Sequence, residues 1–173
     1  MSKQEFHASF RAQLVLPEQR HFFDYWLERA AGRVMPDRGD ICPTDIPRYL
    51  PRVSLIEIET EPLNFRFRLA GTQLREIYQQ EVTNRHLKEL STTQNKDYWL
   101  AACERIAHTG RPAQGILRGP EQSRDHLVQF WIRLPLAIDG VGPKLILGLD
   151  KCVPVSDASH TGDIWDDAFV AGA

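Results

Sequence analysis

The sequence predicts an α+β domain in which helices cover one face of a five-stranded antiparallel sheet, with an additional amphipathic helix at the N-terminus. Apolar residues recur with helical spacing in some segments and alternate with polar residues in others. Two predicted strands precede the longer of the central helices, three follow it, and short turns join neighbouring strands. The chain has 173 residues, which fits one domain with tails rather than two domains.

An amphipathic helix is predicted over residues 18–31. Its apolar face has spacing i, i+3, i+4 and i+7 and consists of Phe23, Trp26, Leu27 and Ala30. Pro17 suits its first turn, and Gly32 can end it in a left-handed conformation. We therefore expect residues 1–17 to be an N-terminal segment that precedes a domain over residues 18–152.

The segments "VSLIEIET" and "FRFRLAG" predict a hairpin whose turn contains "EPLN". In the second strand, Phe65, Phe67 and Leu69 share one face, while Arg66 and Arg68 lie on the other. Gly71 permits a sharp turn and Thr72 can cap the short helix in "QLREIYQQ". The run therefore changes from strand to helix at the glycine.

The next predicted helix lies in "QNKDYWLAACERIAHTG", with Thr92 or Thr93 as its cap. Its helically spaced face contains Trp99, Ala102, Cys103 and Ile106. Gly110 and Pro112 should end it.

Three strands are predicted after this helix, in "AQGILRG", "HLVQFWIRLPL" and "PKLILGLDKC". In the long central strand one face holds Val128, Phe130, Ile132 and Leu134, and the other holds Leu127, Gln129, Trp131 and Arg133. We expect the second face to be partly covered. Residues 153–173 are acidic, rich in small residues and aperiodic, which predicts a loosely ordered tail.

Composition argues against several functions. The formal net charge of −2, from 21 basic and 23 acidic residues, offers no patch for nucleic acid or an anionic membrane. The sequence has neither an apolar run of roughly 20 residues nor a signal-peptide pattern, so we expect a cytoplasmic protein. Three widely spaced cysteines predict reduced thiols, and six histidines without ligand spacing predict no metal site.

Three separated segments carry a family resemblance: "FFDYWLERAAGRVMPDRGDICPTDIPRYLPRVSLIEI", "FRFRLAGTQL" and "RLPLAIDG". Together they resemble the stand-alone PAS-like family of alphaproteobacteria that was formerly classed as a domain of unknown function. The similarity runs from about Phe22 to Leu149. It implies a bacterial PAS domain without an attached kinase or cyclase, which would signal through an oligomer or a partner.

The resemblance does not identify a cofactor, but the sequence can be compared with the flavin-binding and haem-binding PAS domains. Flavin-binding PAS domains that form a photoadduct need a cysteine on the short helices, and "GTQLREIYQQEVTNRHL" contains none. Haem-binding PAS domains usually take a histidine from the longer helix. His108 lies at the end of that helix, where a solvated histidine favoured by the helix dipole is expected instead. We therefore expect neither a flavin photoadduct nor haem.

Three groups of side chains are candidate binding residues. A ligand pocket is predicted to be lined by Phe67, Trp99, Cys103, Phe130 and Ile132. Arg66 and Arg68 could hold an anionic ligand. Alternatively, they could pair with carboxylates on the neighbouring strand (Glu57 or Glu59) or on the N-terminal helix (Asp24 or Glu28). Cys103 could be a reactive thiol, although packing as a small hydrophobe is favoured.

The third group is the aromatic face of the first helix: Phe22, Phe23, Trp26 and Leu27. It should pack either on the domain's own sheet or on a second copy in a homodimer. The leading hypothesis is a non-enzymatic sensory or interaction module that changes the packing of this helix on binding. The alternatives are a small hydrolase or isomerase with a buried acid-base pair, and an adaptor that binds a regulatory protein through a face around Trp131 and Arg133.

Overall fold

The structure is a computed structural model that describes residues 2–90, 95–119 and 125–158. Its helices are α1 (Lys3–Gln13), α2 (Pro17–Ala30), α3 (Leu74–Tyr78), α4 (Lys96–Thr109) and α5 (Val155–Ala158). Its strands are β1 (Val53–Thr60), β2 (Leu63–Ala70), β3 (Ala113–Arg118), β4 (Leu127–Ile138) and β5 (Val141–Pro154). Single 3₁₀ turns occupy Arg38–Asp40, Pro43–Asp45, Leu50–Arg52 and Leu87–Glu89.

The five strands form one antiparallel sheet in the order β2-β1-β5-β4-β3. Strands that are adjacent in sequence form the β1–β2, β3–β4 and β4–β5 pairs. The β1–β5 pair joins the first two strands to the last three. The predicted five-stranded α+β architecture is therefore confirmed. β4 and β5 pair over almost their full lengths, from Leu127 opposite Pro154 to Ile138 opposite Val141.

Helices cover both faces of this sheet. The N-terminal helices α1 and α2 pack on one face, against the residues of β4 that include Ile132 and Leu134. α3 and α4 pack on the other face, against Ile56, Phe67 and Trp131. We call these the N-terminal-helix face and the α4 face.

The first helix was not predicted, because residues 1–17 were expected only to be an N-terminal segment that precedes the domain. The sequence nevertheless contains its signals: the Ser2 hydroxyl accepts a hydrogen bond from the Glu5 amide at 3.2 Å. The Arg11 guanidinium then joins α1 to α2 through the Asp24 carboxylate, with N–O distances of 2.7 and 2.8 Å. α2 itself begins one residue before the predicted start and ends one residue before the predicted end.

Gly71 ends β2 for a reason other than conformational freedom. A Cβ atom at this position would lie 2.1 Å from the Leu50 carbonyl oxygen and 2.4 Å from that of Pro51. The backbone of β2 must therefore pass directly against the 3₁₀ turn that precedes β1. Thr72 was expected to cap α3, but it does not. Gln73 occupies the cap position and forms no side-chain hydrogen bond there.

Two other expectations concern the ends of elements. β5 continues to Pro154, and Val155–Ala158 forms a helical turn whose Ala158 side chain is buried, so the ordered domain extends beyond residue 152. The remainder of the predicted tail, residues 159–173, lies outside the described residues. The predicted helix caps Thr92 and Thr93 lie outside them as well.

Candidate functional site

The α4 face of the sheet contains buried charge. β4 places Gln129 and Arg133 on this face, and β5 places Asp150 beside them. Tyr78, the last residue of α3, reaches the same point from the helical layer. We call these four residues the buried polar network.

A single carboxylate oxygen is the centre of the network. Asp150 Oδ1 accepts hydrogen bonds from Arg133 Nη2 at 2.9 Å and from Gln129 Nε2 at 2.7 Å. Arg133 Nη2 also donates to the Tyr78 hydroxyl at 3.2 Å, and Nη1 donates to the Ile132 carbonyl at 3.0 Å. The side chains of Arg133 and Asp150 are 1% and 0% exposed, so this ion pair is shielded from water.

Two tryptophans enclose the guanidinium. The Arg133 Cζ atom lies 5.0 Å from the Trp99 ring centroid and 5.7 Å from that of Trp131. The two indole rings are themselves 5.2 Å apart, and Trp131 Nε1 donates to the Tyr98 hydroxyl at 3.0 Å. The chain's own aromatic side chains therefore occupy the space between α4 and the sheet around the network.

The surroundings keep each ionisable group in a defined state. Burial opposes the charge on Arg133, but the Asp150 carboxylate outweighs burial and raises the pKa of the guanidinium. Burial, with a contribution from the charge of Asp150, raises the pKa of Tyr78 far above neutrality. Burial also raises the pKa of the Cys103 thiol to about 12, which leaves it protonated and unsuited to nucleophilic chemistry.

Small residues in the neighbouring strands make room for Arg133. The transverse row across the sheet is Ala70, Ser54, Gly148, Arg133 and Ala113. A Cβ atom on Gly148 would lie 2.4 Å from Ser54 Oγ and 3.0 Å from Arg133 Nη1. A glycine is thus required at position 148 because the Arg133 side chain lies across it. Its φ is not positive, so backbone conformation does not explain the glycine.

Three buried atoms in this region form no hydrogen bond within the described part of the chain. They are Ser54 Oγ, Arg133 Nε and Asp150 Oδ2. Unsatisfied buried polar atoms destabilise a fold, so they commonly mark a functional or adaptable region. The network therefore has unused donor and acceptor capacity within the helix-covered interior.

The five residues of the predicted pocket do not line one space. Phe67, Trp99 and Cys103 come together on the α4 face. Ile132 packs on the opposite side beneath the N-terminal helices, and Phe130 packs there in a separate cluster with Leu16. The prediction of a single pocket was wrong because both faces of β4 are covered, and strand alternation sends even-numbered residues away from α4.

The predicted oligomer residues have little surface available for a partner. Phe22, Phe23 and Trp26 have 0% exposure, and they pack on the chain's own sheet, while Leu27 is partly buried beside them. Trp26 Nε1 donates to the Pro135 carbonyl at 2.9 Å. In this fold, an interface between copies would need other residues.

The proposed adaptor surface around Trp131 and Arg133 is also not a surface. Both residues are 1% exposed because α4 covers them.

Sequence reasoning missed the buried polar network, although the sequence contained a signal for it. Arg133 and Asp150 are single charges within the apolar runs "VQFWIRLPL" and "LILGLD", where a charge must be exposed or paired.

Arg66 and Arg68 form ion pairs within the hairpin. Arg66 bonds to Glu57 and, at 3.1 Å, to Glu59, while Arg68 lies 3.3 Å from Glu57. Of the two interpretations left open by the sequence, the structure shows cross-strand pairing. Neither arginine therefore has its full charge available for an external anion.

A histidine–carboxylate pair does occur, but at the surface of the hairpin. His86 Nε2 lies 3.0 Å from Glu59 Oε2, and the two side chains are 26% and 35% exposed. His108 Nδ1 lies 2.7 Å from the Glu104 carbonyl oxygen at the exposed C-terminal end of α4. Within residues 2–90, 95–119 and 125–158, no cluster of three or more His, Cys, Asp or Glu side chains could hold a metal.

Comparisons with known proteins agree with this architecture. A family model described as a PAS domain matches residues 15–150, so the chain belongs to the PAS domain family. No curated protein matches the sequence. PAS domains are in general sensory and signalling modules, and this family membership gives the class of the present chain.

Two solved structures illustrate the match. The first is a light-oxygen-voltage domain studied with a flavin analogue, with 10% identity, a TM-score of 0.49, and coverage of 68% of this chain and 87% of that one. The second is a fungal LOV domain photoreceptor, with 17% identity, a TM-score of 0.45, and coverage of 73% and 88%. Among the helices of the described residues, none has the length and apolarity required to cross a bilayer.

Proposed function

We propose that this chain is a non-enzymatic PAS signalling module of the bacterial cytoplasm, which acts by binding a second copy or a regulatory protein. The observation that carries the proposal is the filled α4 face. Trp99, Trp131 and Arg133 contact one another where a bound small molecule would otherwise lie. Signal transfer then depends on surfaces and helix packing rather than on a resident prosthetic group.

The residues on the α4 face fit a flavin poorly. Besides the two tryptophans, Tyr78 lies between Phe67 and Trp99, with ring centroids 5.8 and 6.3 Å away. A ring system as large as isoalloxazine could enter only if several of these side chains moved. The described part of α3 and its neighbouring turn also contains no cysteine for a photoadduct.

The interior chemistry also favours recognition over catalysis. The Arg133–Asp150 pair is buried beneath two indole rings, so it has no access to a substrate. The histidine–carboxylate pair of His86 and Glu59 lies at the surface and shares its carboxylate with Arg66. Neither arrangement provides an acid-base pair in a water-excluded pocket.

Such a module could signal through two packing states of its N-terminal helices. α1 contacts α2 through Arg11 and Asp24, and both side chains of this pair are nearly half exposed. A partner that preferred one packing arrangement would shift the population toward it, because only differential affinity can move such an equilibrium. Sedimentation velocity of the purified chain, with and without its candidate partner, measures the expected self-association or complex.

Native mass spectrometry of protein purified from its own host tests the filled interior. We expect the mass of the polypeptide alone, or of its oligomer, and no visible absorption band. A Trp99→Ala variant is the matched comparison, since it would open space beside Arg133. Recovery of a flavin or haem with the parent chain at one per polypeptide would overturn the proposal.

A further inference from the structure

A surface cleft of about 480 Å³ lies at the end of the sheet where β1 begins, away from the buried polar network. This volume is within the range of about 300–1,000 Å³ that is typical of small-molecule sites. The 3₁₀ turn Leu50–Arg52 forms one wall, α3 forms another, and β4 and β5 close the third side. The cleft is therefore built from ordered elements.

Two arginines on one wall have no carboxylate partner. Arg48 and Arg52 both line the cleft, and within the described part of the chain neither forms an ion pair. Two guanidiniums without a salt bridge on one cleft wall create a local positive potential.

A third cation, Lys151, lies opposite but is already engaged by Glu18. Burial raises the pKa of Glu18, but its hydrogen bond with Lys151 and the charge of Arg52 outweigh burial and lower that pKa. The positive charges of Lys151 and Arg52 therefore act together on the Glu18 carboxylate. Glu76 on α3 adds one opposing charge at the rim.

The wall that carries the arginines is held in place. The Tyr49 amide donates to the Ile46 carbonyl at 3.0 Å, and the Arg52 amide donates to the Tyr49 carbonyl at 2.8 Å. The Pro51 carbonyl accepts from the Gln73 amide of the α3 wall at 2.8 Å. Arginines on a wall with such a fixed backbone need less ordering to engage an anion.

The floor of the cleft is apolar. Ile77 is 6% exposed, and Leu127 is half-buried beside it. An apolar floor under a cationic wall suits a ligand with one anionic group and a short apolar body. We propose that this cleft binds a small amphiphilic carboxylate or phosphate, with Arg48 and Arg52 holding the anionic group and Ile77 and Leu127 contacting the apolar part.

The cleft is connected to the buried polar network through α3. Ile77 is followed by Tyr78, whose hydroxyl accepts a hydrogen bond from Arg133 in the buried polar network. The inference goes beyond the proposed function, because binding at the cleft does not require the domain to have a protein partner. Anion binding at the cleft and association with a second copy or a regulatory protein can therefore be tested independently.

Isothermal titration calorimetry with three probes of equal chain length tests the proposal: hexyl phosphate, hexanoate and hexanol. We expect saturable binding of one anion per chain, weakened by added salt, and no comparable binding of hexanol. Inorganic phosphate should bind more weakly than hexyl phosphate because it lacks the apolar body. Comparing the phosphate with the carboxylate shows which anionic group the cleft prefers.

The variants Arg48→Gln and Arg52→Gln, singly and together, should lower the affinity, and the pair should lower it by at least about tenfold because charge-assisted hydrogen bonds are lost. The exposed Arg105→Gln on α4 is the matched control and should bind within about twofold of the parent. Amide shifts of Ile77 and Leu127 provide a second measurement. Equal binding of hexanol, unchanged affinity in the double variant, or failure of both anions to bind would refute the site.

Discussion

The two faces of the sheet are buried to a similar degree, but by different chemistry. On the N-terminal-helix face, Phe23 and Trp26 stack with centroids 5.8 Å apart above aliphatic side chains from β4 and β5. On the α4 face, tryptophan rings enclose the Arg133–Asp150 ion pair. The first face is stabilised mainly by burial of apolar area, whereas the second also depends on matched charges.

This difference predicts different responses to mutation. An apolar core tolerates truncation in proportion to the cavity that is left. A buried ion pair is sensitive to the loss of either partner but much less so to the loss of both. The faces can therefore be distinguished by single and paired substitutions, whose effects are expected to decrease in the following order.

On the N-terminal-helix face, Trp26→Ala should lower the free energy of unfolding by about 3–5 kcal/mol, since it leaves a large cavity and an unpaired Pro135 carbonyl. Urea denaturation measures this loss. Val34→Ala, at a side chain that is 66% exposed, should change stability by no more than about 0.5 kcal/mol. A Trp26→Ala protein with parental stability but a changed oligomeric state would restore the interface interpretation.

On the α4 face, Asp150→Ala should cost about 3–5 kcal/mol, because it leaves the Arg133 charge buried without a counter-ion. The double variant Arg133→Met with Asp150→Leu should recover to within about 2 kcal/mol of the parent, because no buried charge is left unpaired and the remaining cost is the Gln129 amide, which loses its carboxylate acceptor.

A surface carboxylate provides the control for that cycle. Glu59→Ala removes a partner of Arg66 and His86 at the hairpin surface and should cost at most about 1 kcal/mol. Denaturation of the parent, the single variants Arg133→Met and Asp150→Leu, and their double variant gives the coupling energy. Strictly additive losses for Arg133 and Asp150 would mean that the buried pair is not the unit that stabilises this face.

Gly148→Ala tests the space that Arg133 requires. The new methyl group would overlap Ser54 Oγ and crowd the guanidinium, so we expect a loss of about 1–3 kcal/mol. Gly39→Ala is the matched control, because nothing lies within 4 Å of its Cβ position and its φ is not left-handed. Thermal unfolding should separate the two variants, and equal melting temperatures would show that Arg133 can move aside without penalty.

The smallest predicted effect concerns His7 on α1. Burial beside the rings of Phe23 and Trp26, 6.0 and 6.1 Å away, lowers the pKa of the imidazole, and the charge of Lys3 lowers it further. A lowered folded-state pKa favours the neutral form, so its stabilisation is complete above pH 6.5 and decreases as pH falls toward the folded-state value.

Because this imidazole is only partly buried, the effect should be under about 1 kcal/mol between pH 7 and pH 5. The groups near His7 in this part of the fold are Lys3 on its own helix and Arg33 beyond α2. Urea titrations at both pH values should show a smaller loss for His7→Gln than for the parent, whereas exposed His126→Gln should behave like the parent. An identical pH response in all three proteins would exclude His7 as the source.

The elements were predictable because their signals are local. Helical spacing located α2 and α4, and the alternation in "FRFRLAG" located β2 and its polar face. The glycine at the end of that run was also correctly placed at a turn. Its physical reason is the backbone of Leu50 and Pro51, which belongs to no local pattern around Gly71 in the sequence but lies directly against Gly71 in the structure.

By itself, the sequence determined the order of elements from α2 to β5, the two alternating faces of β4 and the resemblance to PAS domains, because these depend on neighbouring residues. Only the tertiary structure decided which face of β4 meets which helix. It thereby separated Phe130 and Ile132 from Trp99, and it buried Arg133 against Asp150. Periodicity specifies that two faces exist, whereas the packing of distant helices determines what covers each face.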